Sequence, residues 1–309
     1  MLFVVSILHV VVAQAEGDPT ETELLPVALE LGAARTFNGF FLESFQAQSS
    51  DTEGRLAAGG DVSIDDYSLA EKLDAVSPGA TLLVGGDLHF PNGRVYHGDI
   101  VVGGSAAGLG EPVVHGLTPD QNVVESAALP FDFATEFATL RRTSRILAMQ
   151  PPNGTVEAEF GGLHLSGDCT SPAQVFQLDG QQVLDAHTFS VSCIPDGASV
   201  IFNIDGTQAG LTNMSLTDLT AHRQRVLFNF HQAEHLTLAG IGIEGSVLAP
   251  LAHVEQPEGV IDGSIVARSW NGPMQLNHQP FRGVGAGDFC ALYPIALPFE
   301  LLDGAEPGS

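Results

Sequence analysis

The sequence predicts a mainly β protein: a right-handed β-solenoid with one α-helix packed along its outside. Three observations carry this expectation. A glycine step followed by a short aliphatic strand recurs. Gly54-Arg55-Leu56-Ala57-Ala58-Gly59-Gly60-Asp61-Val62, Leu82-Leu83-Val84-Gly85-Gly86-Asp87-Leu88 and Gly98-Asp99-Ile100-Val101-Val102-Gly103-Gly104-Ser105 are three copies. Glu244-Gly245-Ser246-Val247-Leu248-Ala249-Pro250 is echoed by Asp262-Gly263-Ser264-Ile265-Val266-Ala267-Arg268. The spacing also repeats, since the step from Gly85 to Gly103 equals the step from Gly245 to Gly263. Finally, the aliphatic runs are too brief for helices, whereas a period of about 20 suits coils that bury their apolar side only by stacking. The step from Gly59 to Gly85 is longer, so insertions are expected to interrupt the stack. Glycine at each corner is expected to supply the positive φ of a sharp bend.

Residues 1–15 are apolar and close on Ala13-Gln14-Ala15, small residues at the positions a signal peptidase reads. They are read as a signal peptide, without the usual basic opening, and are too short to span a bilayer. Residues 16–36 form a lead-in, residues 37–283 the solenoid domain, and residues 284–309 a C-terminal tail. Strand-like turns run from Phe37 to Val114. Leu129-Pro130-Phe131-Asp132-Phe133 then opens the one clear helix, near 130–149, with Pro130 suited to its first turn and Asp132 and Glu136 to its positive end. Phe133, Phe137, Leu140, Ser144 and Leu147 make one stripe, and Arg141, Arg142 and Arg145 occupy the other side. Pro151-Pro152-Asn153-Gly154 stops the helix. Strand signals resume at Val156–Phe160, Leu163–Leu165, Val175–Leu178, Ser199–Ile204, Arg225–Phe230 and His235–Gly240. The simplest arrangement lays the helix along the solenoid, its phenylalanine stripe covering an apolar flank.

With 37 acidic against 11 basic residues the net charge is −26, which argues against nucleic acid or an anionic membrane as partner. No stretch after Ala15 is long and apolar enough for a membrane span, so no membrane insertion is expected. Cys169, Cys193 and Cys290 fit an oxidising compartment better than a metal site, since none lies in a C-x-x-C spacing. Cys169 and Cys193 are the favoured disulfide, which leaves Cys290 free or joined to another chain. Asn153-Gly154-Thr155 and Asn213-Met214-Ser215 are sequons compatible with N-glycosylation and export.

Read in order, these phrases are similar to the choice-of-anchor A domain, an adhesive domain of secreted and surface proteins. The matching positions include Phe37-Asn38-Gly39-Phe40-Phe41, the run from Ser50 to Asp61, Asp66-Tyr67-Ser68-Leu69-Ala70 and Leu83-Val84-Gly85-Gly86-Asp87-Leu88. They continue with Asn92-Gly93-Arg94-Val95-Tyr96-His97-Gly98-Asp99, Pro130-Phe131-Asp132-Phe133 and the closing run from Leu238 to Ala267, so that about residues 37–281 are covered. The resemblance implies a β-solenoid with an attached helix and a role in adhesion, and it brings no catalytic residues. No recognisable C-terminal anchor follows, so surface attachment would need a partner.

Several motifs invite chemistry. His231-Gln232-Ala233-Glu234-His235 is a formal H-x-x-E-H, the pattern of an inverted zinc protease on a helix. Strand-like segments flank it, so a turn is expected, and a turn does not bring two imidazoles to one zinc. Gly-Gly-Asp at 59–61 and 85–87, with Asp65 and Asp66, suggests a calcium roll but lacks the nonapeptide period, so each Asp is expected to hydrogen-bond its own turn. Gly103-Gly104-Ser105 is not a nucleophile elbow, because Ala107 holds the last glycine's place. Thr212, Ser215, Thr217 and Thr220 do not alternate as an ice-binding ladder would require. Trp270, Tyr67 and Tyr96 offer rings for sugars, though scattered aromatics more often pack.

The sequence thus predicts a secreted, extracellular, non-enzymatic adhesive or matrix module, with no catalytic, metal or cofactor residues. Its partner would be an extracellular protein or glycan surface. A glycan- or ice-binding solenoid is the second reading and a secreted hydrolase the third.

Overall fold

The computed structural model describes residues 31–74 and 79–282. The signal peptide, most of the lead-in, Cys290 and the tail lie outside the described residues. The fold is mainly β, with strands stacked in parallel into coils.

Three parallel ladders of strands run through the stack, the third joining Ile241–Glu244, Gly259–Asp262, Gln275–Asn277, the end of Phe45–Thr52, the end of Val62–Leu69 and Gly93–Val95. The first joins Ala173–Leu178, Ser199–Ile204, Val226–Phe230, the start of Ser246–Glu255, the start of Ile265–Asn271, Gly39–Phe41, Leu56–Ala58, Ala80–Val84, Asp99–Val102 and Val123–Val124. This order is not chain order. The first described strand, Gly39–Phe41, lies mid-stack, and from it the chain winds to one end. The long helix Phe133–Ala148 follows, and the chain winds in from the other end until Ile265 pairs with Gly39. Two half-stacks therefore meet at a seam between the first and the last coils of the chain.

The longer step from Gly59 to Gly85 does not interrupt the stack as expected. Leu56 pairs with Leu82 across the longer step and Leu82 with Ile100 across the shorter one, and the ladder runs on through both. The extra residues fall in the connection between the strands Val62–Leu69 and Ala80–Val84. In the second half-stack, Ala173 pairs with Ser199 across a step of the longer kind.

The glycine corners divide: Gly98 (φ 77°) and Gly245 (φ 153°) take the expected positive φ, and others do not. Gly59, Gly85 and Gly103 have no positive φ. A Cβ on Gly85 would collide with the Gly59 carbonyl oxygen, and one on Gly103 would lie 2.6 Å from that of Gly85. Glycine is required there because successive backbones stack closer than any side chain allows. Left-handed corners do occur elsewhere, at Ser49 (φ 53°), Asp66 (φ 48°) and Gln256 (φ 50°).

Inward side chains form a core that includes Phe41, Phe45, Tyr67, Phe90, Phe202, Phe228 and Trp270. Tyr67 and Trp270 are thus packing residues and offer no ring to a sugar. Burial pushes the Tyr67 hydroxyl well above its usual pKa even though it bonds Thr52 Oγ1 at 2.8 Å.

The long helix lies on the outward side of the first ladder. It begins at Phe133, not at Pro130, because Asp132 is its N-cap and accepts the Thr135 N–H at 2.8 Å. Phe133, Phe137, Leu140, Ser144 and Leu147 are all buried, and Phe137 stacks on Phe40 with ring centroids 5.6 Å apart. Contrary to the single helix expected, two short ones also form, Glu111–Gly116 against Gly93–Val95 and Gly180–Asp185 against Gln208–Thr212. A separate three-stranded sheet, Thr155–Glu159, Gly162–Ser166 and Thr188–Ser192, carries Phe160 at its hairpin tip, 95% exposed.

Candidate functional site

The second ladder is covered only at its first strand, Gln208–Thr212, where the short helix Gly180–Asp185 packs with Leu184 beside Gly210, whereas the outward residues Gln46, His89 and Glu255 further along are exposed. Its strands pair in the order Gln208–Thr212, His235–Ala239, the end of Ser246–Glu255, the end of Ile265–Asn271, Phe45–Thr52, Val62–Leu69, Leu88–Phe90 and Gly108–Leu109. Alternation buries Val254, Trp270, Phe45, Val62 and Leu88 and turns their neighbours to solvent. The register aligns those neighbours. Glu255, Asn271, Gln46, Ser63 and His89 form one continuous outward row across five coils. Strand spacing in a sheet puts such neighbours about 4.8 Å apart.

Beside this row, Gln48 pairs with Asp65, and Asn92 Nδ2 donates to Asp65 Oδ1 at 3.0 Å. Asn271 Nδ2 donates to Glu255 Oε2 at 2.9 Å. On the other flank, His235 pairs with His253, whose Nδ1 lies 2.6 Å from Ser269 Oγ. Gln46, Gln48, Ser49, Ser63, Asp65, His89, Gln256 and Asn271 line a groove here. The left-handed Ser49 and Gln256 mark one border of it, where the chain turns toward the third ladder. Amides, hydroxyls, carboxylates and imidazoles in register can exchange many hydrogen bonds with a polyhydroxylated or peptide surface.

The Gly-Gly-Asp carboxylates behave differently from the expectation. Asp61 Oδ1 accepts the Asp87 N–H at 2.8 Å, and Asp87 Oδ1 accepts the Ser105 N–H at 2.8 Å. Each Asp satisfies the next coil's corner, so these carboxylates tie coils together. His231 sits in the turn between Val226–Phe230 and His235–Ala239, the second of which begins with His235. Burial holds the His231 imidazole below the usual histidine range. Among the described residues no three His, Cys, Asp or Glu side chains converge as a metal site.

Cys169 and Cys193 are disulfide-bonded, with Cα atoms 4.4 Å apart. Beside them, Asp168 accepts from Gln174 Nε2, Ser171 Oγ and the Ser171 and Thr170 N–H groups, and these bonds hold its carboxyl well below the usual carboxylate range. Asn153, of the first sequon, is bound within this loop: its Nδ2 donates to Asp168 and to the Ala173 carbonyl, and its Oδ1 accepts the Val175 N–H. Asn213, of the second sequon, is exposed. Thr217 and Thr220 lie in a 3-10 helix, Thr217–Arg225, so the threonine cluster is no strand face. Tyr96 lies under the Arg94 guanidinium, 4.5 Å from its ring centroid.

A family model described as "Putative Ice-binding-like adhesive domain" matches residues 30–278, which covers the whole stack from the first coil to the seam. The chain belongs to that adhesive-domain family. The match agrees with the resemblance to an adhesive domain drawn from the glycine-phased phrases. No curated protein matches the chain. Sequence reasoning missed the polar row because Gln46, Ser63 and His89 come from one half-stack and Glu255 and Asn271 from the other. Only the seam brings them together. The available signal was the alternation in Phe45-Gln46-Ala47-Gln48 and Val62-Ser63-Ile64-Asp65.

Proposed function

We propose that this chain is a secreted, non-enzymatic adhesive module whose contact surface is the uncovered polar row of the second ladder. The observation that carries this reading is the alignment of Glu255, Asn271, Gln46, Ser63 and His89 across five coils, with no element packed over them among the described residues. Stacking places many weak polar contacts at a fixed spacing, and such contacts add when they engage one extended partner. The row holds five different side chains. That mixture favours a glycan or protein surface over ice, whose lattice rewards one residue repeated at one position. The right hand of the coil belongs to this reading and rests on the strong preference of parallel crossovers for it. The apolar segment 1–15 and the disulfide support export, and membership of an adhesive-domain family supports extracellular placement.

The test displays residues 16–309 on beads and measures retention on cells, matrix proteins and polysaccharides. Retention on at least one surface, reduced at least tenfold by combined Gln46→Ala, Ser63→Ala and Asn271→Ala, is the expected result. No retention anywhere, together with reproducible hydrolytic turnover, would replace adhesion with catalysis.

A further inference from the structure

A second surface, sharing no residue with the polar groove, concentrates positive charge in a chain of net charge −26. A cleft between the 3-10 helix Thr217–Arg225 and the segment after Gln275–Asn277 is lined by His222, Arg223, Arg225 and Arg282, with Thr220, Gln224 and Gln279 among the neutral lining residues. Three of the chain's 11 basic residues meet here. Arg223 is already committed, 2.8 Å from Glu244 and 3.6 Å from Asp262. It pins the 3-10 helix to the third ladder. Arg225 is half-buried and Arg282 exposed, and among the described residues neither side chain has a carboxylate partner.

With more than three acidic residues for every basic one, two guanidinium groups that line one cleft without a carboxylate partner among the described residues run against what chance pairing would give. A half-buried cation without a counter-charge also costs solvation free energy. The backbone keeps them together: the Arg282 N–H donates to the Gln224 carbonyl at 2.8 Å, and Gln224 Nε2 donates to Gln279 Oε1 at 3.1 Å.

We propose that this cleft binds an oxyanion, a sulfate or carboxylate, carried on an acidic polysaccharide. Guanidinium groups match planar or tetrahedral oxyanions through paired N–H donors, which a compact ammonium does not. Thr220, Gln224 and Gln279 supply the hydroxyl and amide partners that neighbouring sugar hydroxyls need. No aromatic side chain other than the His222 imidazole lines the cleft, so nucleobases have no broad stacking platform.

The experiment titrates residues 16–309 with dextran sulfate, with polygalacturonate, with neutral dextran and with a single-stranded oligonucleotide. Binding of either acidic polysaccharide and not of neutral dextran is expected. Arg225→Gln with Arg282→Gln should weaken it at least tenfold, and Arg282→Gln alone, at an exposed position that leaves the fold intact, about threefold. The groove variant Gln46→Ala should bind both acidic polymers as the parent does, which separates this site from the adhesive row. Unchanged affinity in both arginine variants, equal binding of neutral dextran, or tighter binding of the oligonucleotide would each overturn the assignment.

Discussion

The first and second ladders are built by the same coils, yet their outward rows differ in kind. Under the helix, the row at one register position reads Val101, Leu83, Ala57, Phe40, Val266 and Leu248, then Asn229, Asn203 and Gln177. On the second ladder the corresponding kind of row reads His89, Ser63, Gln46, Asn271 and Glu255. Where the outward row is apolar, a helix covers it. The covered row turns polar only where the helix ends. There Asn229 Nδ2 donates to the Ser144 carbonyl, Asn203 Nδ2 to the Leu147 carbonyl, and Gln177 Nε2 to the Ala148 carbonyl, at 2.8, 2.8 and 3.0 Å. Three stacked amides thereby meet carbonyls of the helix's last turns, several of which have no partner within the helix. An outward row thus states what lies above it: a hydrocarbon face, a helix end or water.

Phe40→Ala should do the most damage to the covered side. Phe40 is fully buried and touches Phe37, Phe131, Phe133 and Phe137. Its loss should cost about 3–5 kcal/mol in denaturant unfolding; a loss under about 1 kcal/mol would mean the helix is not held by this row. Next comes Asn229→Ala, which deprives the Ser144 hydroxyl of its acceptor and Asn203 Oδ1 of its donor in a buried layer. A cost of about 1–3 kcal/mol is expected, and Asn229→Asp should not rescue it, since a carboxylate cannot donate.

Acid should weaken the seam. His278, whose N–H donates to Glu53 beside Asn38, is held below the usual histidine range chiefly by burial. Glu53 and Asp74 oppose that shift and Arg55 reinforces it. The folded state therefore prefers the neutral ring. Its contribution is complete above the unfolded value of 6.5 and is lost as pH falls below it. Melting temperature should drop between pH 7.5 and pH 5, and His278→Gln should flatten part of that slope. The smallest effect belongs to the open row: Gln46→Ala or Ser63→Ala should change stability by less than about 0.5 kcal/mol, while surface retention falls. A larger destabilisation would show that something covers this row.

Much of the covered side was legible. The 4-3-4-3 spacing of Phe133, Phe137, Leu140, Ser144 and Leu147 reports one buried stripe, because a helix face is a local property of consecutive residues. The stacked glycines were legible as repeats but not as to cause, since close backbone approach and positive φ select the same residue. The seam was not legible. Leu56-Ala57-Ala58 and Ile265-Val266-Ala267 are equally good neighbours for Gly39-Phe40-Phe41, and nothing local says that both are used. The open row inherits that difficulty, because two of its members reach it from the far side of the seam.

The seam changes how the stack can come apart. In an ordinary repeat array each coil answers only to its neighbours, so ends fray and partial structures persist. Here the first coil completes its pairing only through the strand Ile265–Asn271, more than 200 residues further along the chain. Such contacts between distant segments slow folding and raise contact order. They also remove the sequence-terminal coils from the fraying ends and place them at the centre, where each has neighbours on both sides. Unfolding should then start at the coils carrying Val123–Val124 and Ala173–Leu178, in mid-chain, and hydrogen exchange should be slowest at Gly39–Phe41 and Ile265–Ala267.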